Sequence, residues 1–387
     1  MWIYIFNIIT IPIYYKIIKN KKKFVLLVAL QLFLMLALSN VSMGIDNGNY
    51  SGGYDYISGL SFSDMISNLR WSGLARLVYP FNFENGYMVL NWIVSRFGIG
   101  FQGFLTICAF INIGSVSLFI YKFSKRPWLS FIIYCAFGFF AYDFGILRQS
   151  LALSMVLLSF VCLGVGKKLR SVICFLIAIS FHRVAIMVLP LLILFNNVRM
   201  NKKIFSRLLI VGMVLLILSY PIYQDIVVSF MNFMEKGYVG HEARLNSMFV
   251  FFFISSVVTL FMYNFSKVEK GIESVSLYAL ILAFYLCIFG LYNDVLARSL
   301  QFYSIFLLIS VPNGLSQYEH WKSMRLIKTI IYLMLVGFMC YEIGKSHLNP
   351  YVFSDAPDVT MIVCLVLLVL GVVGVRKALR KKNGQTA

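Results

Sequence analysis

Apolar runs of membrane-spanning length follow one another along almost the whole chain, and few architectures can accommodate them. They fall near 2–18, 24–42, 103–121, 128–145, 148–165, 172–181, 184–196, 205–223, 247–264, 272–292, 299–313, 325–342 and 359–375. A hydrocarbon layer about 30 Å thick takes roughly 20 helical residues to cross. Inside it every backbone polar group needs a partner from the same segment, so runs of this kind fold as helices. The reading is an all-α polytopic membrane protein with about thirteen transmembrane helices, one integral membrane domain over residues 1–387. The first run, "WIYIFNIITIPIYYKII", lacks a basic stretch before it and a small-residue cleavage site after it, and reads as a retained span. With 60% hydrophobic and only 13% charged residues, the composition lies far from that of a soluble domain. The seven cysteines all sit within apolar runs, without the paired spacing of a zinc site or a disulfide framework.

A net charge of +19 taken alone would suggest nucleic acid, but its distribution argues otherwise. With the N-terminus outside, the loops on one side are "KIIKNKKK", "YKFSKRP", "GKKLR", "VRMNKKIFSR", "SKVEKGIES", "QYEHWKSMRLIK" and the tail "RKALRKK". They carry 25 of the 34 basic residues and three of the 15 acids, which marks that side as cytoplasmic. The opposite side holds the loops 43–102, 224–246 and 343–358 and short turns at 143–148, 182–183 and 292–298. Consistent alternation makes two demands. "ICFLIAISFHRVAIMVLPLLILF" has to split into two short helices turning at Phe181 to Arg183, and "GYMVLNWIVSRFG" (86–98) has to lie along the interface or re-enter.

Seven of the nine basic residues outside are arginines: Arg70, Arg76, Arg96, Arg148, Arg183, Arg244 and Arg298. Point charges are enough for orientation and anionic lipid, which lysine supplies inside. A planar fork of donors that grips phosphate bidentately is what arginine adds. The set therefore points to an anionic, phosphorylated, lipid-borne substrate handled outside, with individual members equally able to pair with the twelve acids on that side.

Within this face, "DFGILRQSLALS" places Asp143 and Arg148 five positions apart at the start of a span. Either they form an ion pair that closes the turn, or Arg148 joins the amides of the helix start in holding an anion, with Gln149 beside it. The first outer loop is rich in glycine, tyrosine and acids. Tyr50 and Tyr87 offer flat faces for sugar rings or an interfacial belt, and Asp46, Asp55 and Glu84 are carboxylates able to take a proton from a hydroxyl. His182, in "SFHRVA", is either a helix-end cap or a base. "YNDVLARSLQFY" repeats the theme with Asp294, Arg298 and Tyr303, and Arg244 lies in "EKGYVGHEAR". The chain has no phosphate-binding glycine-lysine loop, dinucleotide fingerprint, HExxH or GxSxG, so no nucleotide cofactor or metal is expected.

In order and spacing, "GIDNGNY" (Gly44, Asp46, Tyr50), "ENGY" (Glu84, Gly86, Tyr87), "LRQSLA" (Arg148, Gln149, Ala152), "SFHRVAIMVLP" (His182, Pro190) and "ARSLQFYSIFLLISVP" (Arg298, Tyr303, Pro312) resemble the EpsG family of bacterial exopolysaccharide and O-antigen loci, regarded as Wzy-like polymerases. Where members commonly carry an arginine before the first motif, this chain has Asn40, so Arg70 or Arg76 would have to take its place. The resemblance implies transfer of the growing glycan from undecaprenyl diphosphate to the non-reducing end of an incoming lipid-linked repeat unit, at the outer face of the inner membrane. It implies a fold similar to the GT-C class, whose long first outer loop carries interfacial helices. The expected partners are the lipid-linked oligosaccharide, membrane lipids, a flippase and a chain-length co-polymerase, with no nucleic acid. Under this reading Arg148, Arg298 and Arg244 hold the diphosphate, and Asp46, Glu84 and His182 supply acid-base chemistry. Gln149, Tyr50, Tyr87, Asp143 and Tyr303 support them. The alternatives are a flippase or exporter of the same glycans, which would place arginines along a path through the spans, an O-antigen ligase, and an outer-face O-acyltransferase.

Overall fold

The computed structural model describes residues 2–69, 83–219, 247–289, 294–346, 348 and 351–354. These residues form helices joined by turns, with one isolated β-bridge between Ser39 and Phe353. The expected loop 224–246 with Arg244, the span 359–375, and Arg70 and Arg76 lie outside the described residues, and of Arg298 only the backbone is described.

The helices are α1 Trp2–Ile17, α2 Lys21–Ala37, α3 Asn47–Ser58, α4 Phe62–Ser67, α5 Asn85–Ser95, α6 Phe101–Phe123, α7 Pro127–Ala136, α8 Phe139–Tyr142, α9 Leu147–Gly164, α10 Lys168–Phe181 and α11 Leu189–Leu194. They continue with α12 Lys202–Ser219, α13 Ser247–Met262, α14 Ile272–Phe289, α15 Asp294–Ser304, α16 Leu307–Ser316 and α17 Met324–Lys345. By length and composition, Phe101–Phe123, Leu147–Gly164 and Met324–Gly344 are able to cross a membrane. α6 is the central post. It packs between α2 and α9, and it buries Gln102, Thr106, Asn112, Ser115 and Ser117 among its apolar residues. α17, by contrast, leaves Leu326, Leu333 and Met334 largely exposed, as expected of a helix against lipid.

Contacts between distant loops sort the chain into two ends, and the sorting matches the charge count. At the lysine-rich end Lys21 Nζ donates to Ser124 O (2.7 Å), Lys125 Nζ pairs with Glu273 (2.6 Å), and Arg126 pairs with Glu319. Lys125 N donates to Asn313 Oδ1 (2.8 Å), and Arg199 Nη2 to Ser266 O (2.9 Å). At the other end Asn40 N donates to Val352 O (2.9 Å), and Asn47 Nδ2 to Phe144 O (3.0 Å). Among the described residues, loops far apart in sequence thus meet others assigned to their own side.

Two runs expected as single spans are broken. The run 128–145 divides into α7 and α8 at Phe137 and Gly138, where Gly138 has φ 75°, a left-handed conformation that costs glycine nothing. The run 299–313 divides between α15 and α16 at residues 305–306. Helix α10 ends at Phe181, and after the extended His182 the chain continues as a 3-10 turn, Arg183–Val188, into α11. The segment around 86–98 becomes α5, whose eleven residues rise only about 16 Å, roughly half a hydrocarbon layer.

Candidate functional site

Two close backbone approaches bring the dispersed motifs together. Gly44 packs against the turn after α8, where a Cβ would stand 2.3 Å from Phe144 O; a Cβ on Gly145 would in turn meet the Gly44 Cα at 2.7 Å. Asn47 fastens the same junction through Val41 O (2.9 Å) and Phe144 O. Further along, Gly86 in the first turn of α5 lies on the last turn of α10, where a Cβ would come within 2.2 Å of Ser180 Oγ. The "GID" segment is thereby set on the turn leading to Arg148, and the "ENGY" segment on the residue pair before His182.

At the meeting point Glu84, immediately before α5, bridges two partners. One carboxylate oxygen, Oε2, lies 2.5 Å from Arg148 Nη1, and the other, Oε1, lies 2.9 Å from His182 Nδ1. An ionised carboxylate only accepts hydrogen bonds. The neutral imidazole therefore carries its proton on Nδ1, and its basic lone pair sits on Nε2. The Arg148 guanidinium also lies over the rings of Tyr50 (5.8 Å) and Phe83 (5.3 Å). Against the Glu84 pair, the Arg148 side chain is about a quarter exposed and that of His182 almost fully enclosed, at 25% and 5%. The cluster is therefore a partly desolvated charged group with one accessible cation, where electrostatic interactions exceed their strength in water.

Tyr50, Phe83 and Tyr87 pack on one another, with ring centroids 5.1 to 5.7 Å apart. Both tyrosines are buried, with Tyr50 and Phe83 lying against the Arg148 guanidinium and Tyr87 packed behind them. Burial pushes the Tyr50 phenol up from its ordinary pKa, and the neighbouring Arg148 offsets part of that rise. Asp46 caps no amide with its side chain, and its charge is felt by Tyr50, four residues later in the first turn of α3.

Asp143 does not pair with Arg148. Its carboxylate accepts from Tyr134 Oη and from Asn112 Nδ2 (3.2 Å), and Ser154 Oγ donates to Asn112 Oδ1 (2.9 Å). The turn between α8 and α9 aims the two side chains in different directions, Asp143 toward the middle of α6 and Arg148 toward α5. Gln149 Nε2 donates to Gln301 Oε1 on α15, a buried contact joining the two helices. Arg298 stands three positions before Gln301 on that helix. Tyr303 Oη donates to Met187 O (2.6 Å), and so fixes the turn following His182. Asn40, at the position where the resemblance calls for arginine, caps Ser42 N at 2.9 Å.

Phe83, Gln301, Asn112 and Tyr134 were not singled out by the sequence. Phe83 had a signal in its position directly before Glu84, and Asn112 in being a polar residue at the centre of an apolar run. Tyr134 and Gln301 had none apart from their types.

A helical bundle with most of its described lysines at one end and a charged, half-enclosed cluster at the other defines a multi-helix membrane protein with a polar site built from the segments around Glu84, Arg148 and His182. The chain belongs to the EpsG family, whose model matches residues 22–353 and so includes every member of the cluster. Membership fits a polysaccharide polymerase-type membrane protein with glycosyltransferase-like chemistry. No curated protein and no solved structure matches the chain.

Proposed function

We propose that this protein polymerises a lipid-linked polysaccharide at the outer face of the bacterial inner membrane, moving the growing glycan from undecaprenyl diphosphate onto the non-reducing end of an incoming repeat unit. The observation that carries this reading is the bridge from Arg148 through Glu84 to His182 at the end opposite the lysines. The acceptor hydroxyl oxygen attacks the anomeric carbon and forms the new glycosidic bond. The bond from that carbon to the diphosphate oxygen breaks, and its electron pair leaves with the lipid diphosphate. His182 Nε2 takes the hydroxyl proton, and Glu84 holds the imidazole in the required tautomer and stabilises its protonated form. Arg148 faces the charge that develops on the departing diphosphate, where a fixed cation in a partly desolvated site contributes most. The high-energy sugar phosphate bond drives the step, so no nucleotide is required. In the same reading Arg298 and Arg244 complete the diphosphate grip, Asp46 is a second candidate acid, thirteen spans form a fold of the GT-C kind, and a flippase and a chain-length co-polymerase act alongside.

The test is deletion in the native strain, complementation with wild type, Arg148→Ala or His182→Ala at matched protein levels, and separation of the surface polysaccharide by size. Collapse of the ladder to a single repeat unit, restored by wild type and by neither variant, supports the polymerase. Absence of single units from the outer face makes the protein a flippase. Polymer that accumulates on the carrier lipid without reaching its final acceptor makes it a ligase.

A further inference from the structure

At the lysine-rich end, α12 and α13 diverge around a cavity of about 940 Å³, within the size range of small-molecule sites. Its two ends differ in chemistry. One is formed by Asn201 and Lys202 at the start of α12, beside the exposed Lys203, Arg199 and Lys267. Asn201 Oδ1 takes the Ile204 N–H (2.9 Å), while the amides of a helix's first turn have no acceptor within the helix and carry its positive partial charge. From there the wall turns apolar. Phe205 and Leu209 stand one helical turn apart on α12, facing Leu260 and Phe261 of α13. Phe261 and Ile210 are 73% and 65% exposed, an apolar surface unsuited to water and suited to acyl chains.

Tyr263 also lines the cavity and is only 4% exposed, its hydroxyl sealed from solvent. Of the nearby acids, Glu273 is paired with Lys125, and Glu269 lies exposed on the connecting loop, so the mouth keeps a positive balance.

A cationic helix start leading into an apolar groove is the complement of a phosphate leading into a hydrocarbon chain. We infer that this cavity is a binding site for an anionic glycerophospholipid of the cytoplasmic leaflet. Its phosphate lies at Lys202 and the α12 amides, and one acyl chain lies between Leu209 and Leu260. The site is at the opposite end of the bundle from Glu84, so it is separate from the substrate cluster and does not depend on the proposed chemistry.

The full chain, purified in a neutral detergent and stripped of lipid, is titrated with phosphatidylglycerol, phosphatidylcholine or sn-glycerol 3-phosphate at constant ionic strength, with bound lipid counted by native mass spectrometry and stability followed by thermal melting. Phosphatidylglycerol is expected to bind at least tenfold more tightly than phosphatidylcholine and to raise the melting temperature, with glycerol phosphate inactive. Lys202→Gln should weaken phosphatidylglycerol about fivefold, the contribution of one basic residue near an anionic headgroup, and leave phosphatidylcholine unchanged. Leu209→Trp, which fills the groove, should weaken both lipids. Arg325→Gln, an exposed charge at the same end outside the cavity, should change neither. Equal binding of the two lipids by wild type, an unchanged Lys202→Gln, an equal loss in Arg325→Gln, or stabilisation by glycerol phosphate alone each overturns the assignment.

Discussion

If Glu84 neutralises Arg148, removing either residue should cost stability, and removing both should cost much less than the sum. Loss of one partner from a buried ion pair costs about 3–5 kcal/mol. Here the Arg148 side chain is 25% exposed and retains two aromatic faces, which lowers the figure for Glu84→Ala to about 2–3 kcal/mol. Arg148→Met should cost about 1–2 kcal/mol, because Glu84 retains His182. With both gone neither leaves the other's charge unpaired, so the double variant should fall near 2 kcal/mol, a coupling of roughly 1–3 kcal/mol. Unfolding entropies of about 2 cal/mol/K per residue over 387 residues translate 2–3 kcal/mol into a shift of about 3 °C. Tryptophan-fluorescence melting of the four detergent-solubilised proteins measures the cycle. Additive shifts, or a Glu84→Ala protein that melts with wild type, would refute the claim that the pair is coupled.

The glycine junction makes a steric forecast. Gly86→Ala should cost about 1–3 kcal/mol by overpacking, and Ser180→Gly should recover part of it, since two of the three nearest atoms to the added Cβ belong to the serine side chain. Melting temperatures of the single and double variants, alongside the polysaccharide ladder, check both. Asp143→Ala strands the Tyr134 hydroxyl and the Asn112 amide and should cost about 2–4 kcal/mol. Combined with Arg148→Met its effect should add within about 0.5 kcal/mol, because the two side chains share no partner among the described residues; a large coupling in that melting series would restore the ion pair suggested by their spacing.

How far the sequence carried depended on distance along the chain. The helical membrane class, the two-sided distribution of charge and the break after Phe181 are written in local runs, and each is visible in the helices and loop contacts that formed. The break in the run 128–145 was less legible, because hydropathy averages over Gly138 while backbone conformation responds to it. The site was legible as a membership and not as a geometry. Glu84, Arg148 and His182 were all in the candidate set, yet Glu84 lies 64 residues from one partner and 98 from the other, and nothing local says that it joins them. Spacing offered Asp143 for Arg148 as one of two readings. That inference fails because a helix begins between them: Leu147 opens α9 and turns Arg148 toward α5, while Asp143, at the end of α8, is captured by Tyr134 and Asn112. What the chain did offer was the glycines. Gly44, Gly86 and Gly145 each stand beside a charged candidate, and each occupies a place where any side chain would collide with another segment. Gly86 marks where the segment carrying Glu84 meets the one ending at His182, and those two residues pair beside that contact, whereas Gly48 and Gly98, equally near Asp46 and Arg96, meet no other segment.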